Sequence, residues 1–554
     1  MKHSLVCRIG ALMLALCVGL CGCGINSQAP VKTPATDAAL QSLANLNEKL
    51  GGTPDDNYRT FYEIFVYSFC DSDGNGIGDL KGVETKLDYL AQLGITGIWL
   101  MPIMPSQSYH KYDVRDYYAI DEQYGTMADF DSLLAACHER GIKVIIDLVL
   151  NHTGDDHEWF LTACEYLKTL PADATPDPAV CPYVDYYFFV PTGSKTGAYH
   201  QIEGSAWSYE GQFSPDMPDL NWECEAMRAE LKEIMEYWLV EKDVDGFRLD
   251  AAKEFYSGNV DKNIEVLDWI QTTATAIRPD AYLVAEVWEN FSNAKRYYES
   301  GITSIFDFPF GNATGAIVKT VNAAGKPDQV TKLAQNMEMA DSGYRAANPD
   351  YIGAPFFSNH DVGRIGSFFS GDVNEIKLGS AISILMSGSC FIYYGEELGM
   401  PGSGNDPSKR APMLWSSEQP TEDTTGLPPE CVLPEAYPLG GLAEQVDDDW
   451  SVYNYYRQAI AIRNAIPVVA RGAVTCEAEL SKNSIAAVRK SWNGQECLLV
   501  YNINPEAAAV DLTAYEGWTL AAGLVVAEGD AVTLKDGSLQ MPAYGAAVLL
   551  PAEG

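Results

Sequence analysis

Short apolar runs alternating with amphipathic helical stretches fill residues 58–466 and restrict the chain to an α/β architecture. Eight runs stand out: "FYEIFVYSF" (61–69), "ITGIWLMPI" (95–103), "IKVIIDLVL" (142–150), "VDGFRLD" (244–250), "AYLVAEVW" (281–288), "SIFDFPF" (304–310), "GAPFFSNHD" (353–361) and "SCFIYYGEE" (389–397). Runs this short and this apolar read as strands buried on both faces, as in a parallel sheet covered by helices. Helical stretches near 80–93, 127–140 and 224–242 separate the first of them. Eight strand–helix units predict a (β/α)8 TIM barrel. An open doubly wound sheet has the same local rhythm, because nothing local encodes closure.

The rhythm breaks in three places. Residues 153–220 show no clear helix–strand alternation and are too long for a connection, so they read as a subdomain inserted after the third strand. Beyond residue 466, "SIAAVRKSW", "ECLLVYNI", "WTLAAGLVV" and "GAAVLLPA" are short runs divided by Gly, Asn and Asp, which predicts a C-terminal antiparallel β domain over 467–554. Residues 1–22 carry Lys2 and Arg8 before the short apolar run "IGALMLALCVGL", the pattern of a secretory signal. That run ends in "LCGC", which resembles a bacterial lipobox. The resemblance implies that Cys23 is the lipidated first residue of a membrane-tethered protein, with 23–57 as a polar tether. It also implies an extracytoplasmic location, anchored or secreted; lipid found on Cys23 is the check.

A formal net charge of −39 excludes a phosphate backbone as partner, since nucleic-acid binding needs a basic surface. The acidity suits a neutral substrate and lets clustered carboxylates hold hard cations. The thirteen cysteines include no CxxC pair beyond Cys23, so they read as buried thiols, with disulfides among Cys164, Cys181 and Cys224 left open.

In a parallel barrel the working site lies at the C-terminal ends of the strands. There the runs end in chemistry: Asp147, Asn151 and His152 after the third, Arg248 and Asp250 after the fourth, Glu286 after the fifth, His360 and Asp361 after the seventh. Carboxylates at the same end of separate strands would repel one another unless used. Two carboxyl groups flanking one bond are what glycoside hydrolysis needs, one protonated and one ionised. Arg248 beside Asp250 favours the ionised form, and Val287 and Trp288 beside Glu286 favour the neutral acid.

Taken together in this order, "DLVLNH", "GFRLDAAK", "EVW" and "FFSNHD" resemble the α-amylase family of glycoside hydrolases over nearly the whole mature length. The resemblance implies a retaining mechanism with Asp250 as nucleophile, Glu286 as acid/base and Asp361 as transition-state stabiliser. It implies His152, His360 and Arg248 around the reacting sugar, and Tyr112, within "SYHKYDVRDYY", stacking on it beside Tyr109 and His110. Lys253 is expected on the acceptor side, and Arg364 is expected to pair either with the site carboxylates or only with its loop. The motif "MPDLN" (217–221) is intermediate between the oligo-1,6-glucosidase and neopullulanase branches, and relatives with it are mostly α-amylases. The expected substrate is therefore an α-1,4-linked glucan. The alternatives are neopullulanase or cyclodextrinase action, α-1,6-glucosidase, 4-α-glucanotransferase, and a non-catalytic glycan-binding protein. Relatives of that last kind lose the carboxylates present here.

"DSDGNGIGD" (71–79) follows D-x-[DN]-x-[DN]-G, so Asp71, Asp73, Asn75, the Ile77 carbonyl and Asp79 can wrap a hard cation. Position twelve is Gly82 rather than the Glu of an EF-hand, and the branches named above carry such a loop for Ca2+. Asn151 and Asp219 match a second calcium position of many α-amylases, although Glu254 stands where the family usually has histidine.

Overall fold

The computed structural model describes residues 35–552, apart from 324–326, 419–420 and 422. The proposed leader, Cys23 and the tether up to residue 34 lie outside the described residues.

The chain forms β1 (Thr60–Ile64), β2 (Gly97–Leu100) and β3 (Lys143–Leu148), then β4 (Phe189–Pro191), β5 (Tyr199–Gln201) and β6 (Trp207–Glu210) in the insert. There follow β7 (Gly246–Leu249), β8 (Tyr282–Ala285), β9 (Ser304–Ile305) and β10 (Cys390–Tyr393). Seven of these make one parallel sheet in the order β10-β1-β2-β3-β7-β8-β9. The run 353–361, expected as the seventh strand, forms no strand. It closes the ring through single parallel bridges, Phe306 to Ala354 and Phe356 to Phe391. Pro355 lies in that run and has no N–H for a ladder, so pairing there shrinks to isolated bridges. The result is a TIM barrel seamed at one position.

Helices cover the sheet, and their starts are written locally. Thr126 and Asp129 form a capping box at the head of Met127–Glu139, and Asn259 caps Val260–Ile277. At the start of β7 a Cβ on Gly246 would sit 1.9 Å from the Tyr282 carbonyl oxygen. Only glycine lets β7 lie this close to β8, and β7 is the strand that delivers Arg248 and Asp250.

Two readings are corrected here. The insert is not irregular: it holds the helix Glu158–Leu167 and the antiparallel sheet β4-β6-β5. Nor is the region up to 57 a tether throughout. Ala35–Lys49 is a helix lying along the helix Val452–Ala465. Asp449 accepts from the Ala35 and Thr36 amides, Asp37 pairs with Arg457, and Leu43 is buried. Leu43, Leu46 and Leu50 fall on one helical face and pack against the core, a 3.6-residue period that outweighs the polar composition around it.

Beyond Ala473 the antiparallel strands β11 (Ala473–Cys476), β12 (Ile485–Trp492), β13 (Gln495–Asn502), β14 (Ala508–Asp511), β15 (Trp518–Leu524), β16 (Thr533–Lys535), β17 (Ser538–Met541) and β18 (Ala546–Pro551) form two sheets. They share a small apolar core that includes Leu498, Val510, Leu539 and Leu549. Nine cysteines from Cys70 to Cys497 are free, which answers the disulfide question for Cys164, Cys181 and Cys224.

Candidate active site

A cavity of about 370 Å³ opens at the C-terminal ends of the barrel strands, lined among others by Asp250, Glu286, Asp361, Tyr112 and His152. The barrel thus brings the ends of β7 and β8 and the bridging run 353–361 to one cleft. His110 and Lys253 also face it, as do Phe213, Glu254, Trp288, Asp406 and Arg410.

Arg248 is the organiser. It is 1% exposed, and its Nη1 donates to both oxygens of Asp147 (2.9 and 3.1 Å) and to Asp250 Oδ1. Its Nη2 lies 3.0 Å from Glu286 Oε2. The sequence reading assigned this guanidinium to Asp250 alone; in the fold it spans both carboxyl groups. The asymmetry between the two therefore has another source. Burial raises the pKa of Glu286, with Asp250 and Asp361 adding to it and Arg248 opposing. Trp288, expected to shield Glu286, is 45% exposed and stacks on Phe308, offering its ring to the cleft.

Between the two carboxyl groups lies a strained residue. Ala251 has φ +45° without being glycine, and its amide donates to Glu286 Oε2 at 3.0 Å. The turn after Asp250 is thus tied to the neighbouring acid, the kind of place where local strain is kept for function.

The other wall is a relay of charge. His360 is fully buried between Glu63, on Nδ1, and Asp361, 3.1 Å from Nε2. Burial opposes its charge, but these two carboxylates push its pKa up to about 9. Burial would raise Asp361, yet His360 and Arg410 hold it well below the usual carboxylate range. Tyr112 donates to Asp147 at 3.1 Å, accepts from His360 at 2.8 Å, and stacks on that imidazole. His152 is kept neutral chiefly by burial, and its buried Nε2 has no hydrogen-bond partner, so it can serve a ligand hydroxyl.

Three contributors escaped the sequence reading. Glu63 sits inside β1, where a charged residue in an apolar run was the available signal. Asp147 was seen at a strand end but given no role. Arg410 bonds Asp361 Oδ1 at 2.7 Å, the His360 carbonyl and the Tyr109 hydroxyl, from a segment with no periodic pattern. Tyr109 thus reaches the site through Arg410.

Of the two alternatives for Arg364, the fold takes the loop and not the carboxylates: its guanidinium donates to the backbone oxygens of Lys409, Tyr394 and Ala411. Its buried position between strand-end loops makes it a clasp for the segment carrying Arg410.

In the 71–79 loop, one oxygen from each of Asp71, Asp73 and Asp79 lies within 4.8 Å of the others. The amides of Asp73, Gly74 and Gly76 donate to the Asp71 carboxylate. Burial would raise Asp71, but these amides hold its pKa below the ordinary value, so it offers an anion. Asn75 Oδ1 accepts from the Ile77 amide, keeping both residues in the same turn. Asn151 and Asp219 bond to each other at 3.2 Å, and His152 Nδ1 lies 3.3 Å from the Asn151 amide nitrogen. The second cation set thus brings the single carboxylate of Asp219 where the first brings three.

A model of the "Alpha amylase, catalytic domain" family matches residues 63–472. Alpha-amylase 3 of Dictyoglomus thermophilum is 36% identical over 447 residues, covering 80% of this chain and 84% of that protein. A 4-alpha-glucanotransferase of Thermotoga neapolitana is 33% identical over 379 residues, covering 66% of this chain and 78% of the other. Among solved structures, Eubacterium rectale Amy13B matches with a TM-score of 0.88 at 41% identity, over 95% of this chain and 100% of that one.

Proposed function

The chain belongs to the α-amylase family of glycoside hydrolases, and from that premise we propose that it cleaves α-1,4-glucosidic bonds of starch or maltooligosaccharides with retention. The observation that carries the reading is the single guanidinium of Arg248 touching both Asp250 and Glu286. It holds the two carboxyl groups close together, which favours a direct attack over the wider gap of about 6.5–9.5 Å that an inverting enzyme leaves for water.

Asp250 attacks the anomeric carbon, and the bond to the leaving oxygen breaks as Glu286 gives that oxygen its proton. The carboxylate of Glu286 then takes a proton from water, which displaces Asp250 from the sugar. Asp361, held anionic by His360 and Arg410, grips sugar hydroxyls as positive charge develops on the ring. Tyr112 presents its apolar face to the sugar.

Two results test this together. Glu286→Gln should cut kcat/KM for soluble starch by about 10³-fold, while kcat/KM for an aryl maltoside, whose good leaving group departs without a proton, loses much less. With its pKa raised, Glu286 keeps its proton to higher pH, and wild-type kcat/KM falls as pH rises through that pKa; the variant should lack this alkaline limb. Equal losses on both substrates would remove the acid role. Products from amylose, pullulan, cyclodextrin and isomaltose then separate hydrolysis of α-1,4 links from glucanosyl transfer, the activity named for the Thermotoga neapolitana relative.

The 71–79 loop fits a hard cation, since every donor is a carboxylate, amide or carbonyl oxygen, and we propose Ca2+ there. When bound, the ion would neutralise the repulsion of Asp71, Asp73 and Asp79. Chelation should lower the melting temperature by several degrees, and Asp73→Ala should abolish that response. A melting curve insensitive to both chelator and added Ca2+ counts against the site.

A further inference from the structure

Arg410 is placed by something outside the cleft. Its backbone oxygen accepts from Ser68 Oγ at 2.7 Å, and the Ser68 carbonyl accepts from the Met413 amide at 2.8 Å. Both bonds are made at the end of the short helix Val66–Phe69, just before the acidic loop begins. The stitching continues along the loop. Trp415 Nε1 donates to the Phe69 carbonyl at 3.0 Å, the Asp71 amide to Asp423 O at 3.1 Å, and the Gly426 amide to Gly76 O at 2.7 Å. Lys86, which caps the end of the helix Leu80–Thr85 after the loop, pairs with Asp423 at 2.7 Å. Residues 410–418, 421 and 423–426 thus run beside residues 68–76, and Ser68 and Trp415 are buried in the seam.

The far end of this seam is the cleft. Arg410 Nη2 holds Asp361 Oδ1, and Lys409 Nζ donates to the Asp361 carbonyl at 2.7 Å. Asp361 therefore receives its guanidinium from a residue whose main chain is fixed on one side by Arg364 and on the other by Ser68. We propose that Ser68, together with the acidic loop that follows it, positions Arg410 and through it orients the Asp361 carboxylate. Ser68 is not among the residues lining the cleft, reaches it only through the Arg410 main chain, and is a positioning residue. The proposal rests on the reading of Asp361 as the group that grips the sugar in the transition state.

The physical argument is one of tolerance. A misplacement of about 1 Å far from the reacting atoms can cost about 10²-fold in rate. Arg364 clasps the carbonyls of Lys409 and Ala411, and Ser68 is the side-chain donor to the carbonyl between them. Without Ser68 Oγ the Arg410 peptide can rotate while its neighbours stay clasped. Because Asp361 acts in the transition state, the loss should fall on kcat more than on KM.

The experiment is a double-mutant cycle in the full chain, with kcat and KM on maltooligosaccharides, thermal melts and amide hydrogen exchange. Ser68→Ala should lower kcat about five- to tenfold, the worth of one buried hydrogen bond, with KM changed less than twofold. In an Arg410→Met background the same substitution should lower kcat no further, while its small effect on melting persists. Asp71→Ala should open the loop, speed exchange in peptides covering 411–426 and lower kcat; if that variant fails to fold, the Ser68→Ala cycle decides. Undiminished kcat in Ser68→Ala, or a loss of full size in the Arg410→Met background, overturns the proposal. Asp361→Asn is the separate control: wild-type turnover there would sink the reading of Asp361 itself.

Discussion

Replacement of Asp250 by Asn should lower kcat on maltooligosaccharides by about four orders of magnitude or more, equivalent to about 5.5 kcal/mol of lost transition-state stabilisation. The reason is covalent. An amide oxygen does not form the glycosyl-enzyme bond, so the two-step route closes, and Asp361 and Glu286 can only assist a slow direct attack by water. The fold should hardly notice. Asn keeps an oxygen where Arg248 Nη1 now donates, and Arg248 retains its bonds to Asp147 and Glu286. The melting temperature should therefore stay within a few degrees of wild type. Kinetics and melts on the same preparation check both halves. A variant keeping a tenth of wild-type kcat would mean that Asp250 is not the nucleophile.

Arg248→Met should damage stability and activity together. Met keeps an unbranched apolar stem, but the change removes the cation from a site where Asp147 is fully buried and Asp250 and Glu286 are nearly so. Breaking a buried ion pair by deleting one partner costs about 3–5 kcal/mol, because the remaining charge stays behind unpaired. The damage should depend on pH, with a definite sign. Asp147 is already raised to about 7 by burial, against the pull of Arg248; without the arginine it rises further. A carboxyl group with a raised folded-state pKa is tolerated while it is protonated, and it costs stability as pH rises towards and through that pKa. The gap in unfolding free energy between wild type and variant should therefore be small near pH 5 and grow towards pH 8. Denaturant titrations at the two pH values measure it; a gap of constant size would mean that packing rather than charge is at stake. Turnover should fall at least about 10²-fold throughout, as for loss of a preorganised electrostatic partner.

Both expectations concern residues visible in the chain as a string. "GFRLDAAK" announces its chemistry because a charged pair directly after an apolar run must be either wasted or used, and a parallel barrel projects the ends of successive strands onto one face. Asp250, Glu286 and Asp361 could be named for that reason, although the first and the last lie 111 positions apart. Glu63 was equally visible as a charge inside a strand, yet its partner was not. His360 lies 297 positions away, and only closure of β1 against β10 and the bridging run makes them neighbours. Arg410 had no signal at all, since a loop arginine reads the same whether it faces solvent or a carboxylate in a cleft.

Alternation of apolar and polar residues is a property of neighbours, so the strands, the helical stretches between them and the acidic turn at 71–79 were present in the primary order of residues. Which carboxyl group stays protonated, which arginine serves the cleft and which merely clasps a loop depended on the folded molecule. Burial and charge pairing act through space, and they are set by contacts between segments hundreds of residues apart. Arg364 and Arg410 make the point: two arginines near the same strand ends, one bonded only to carbonyl oxygens and the other to Asp361, told apart by packing alone.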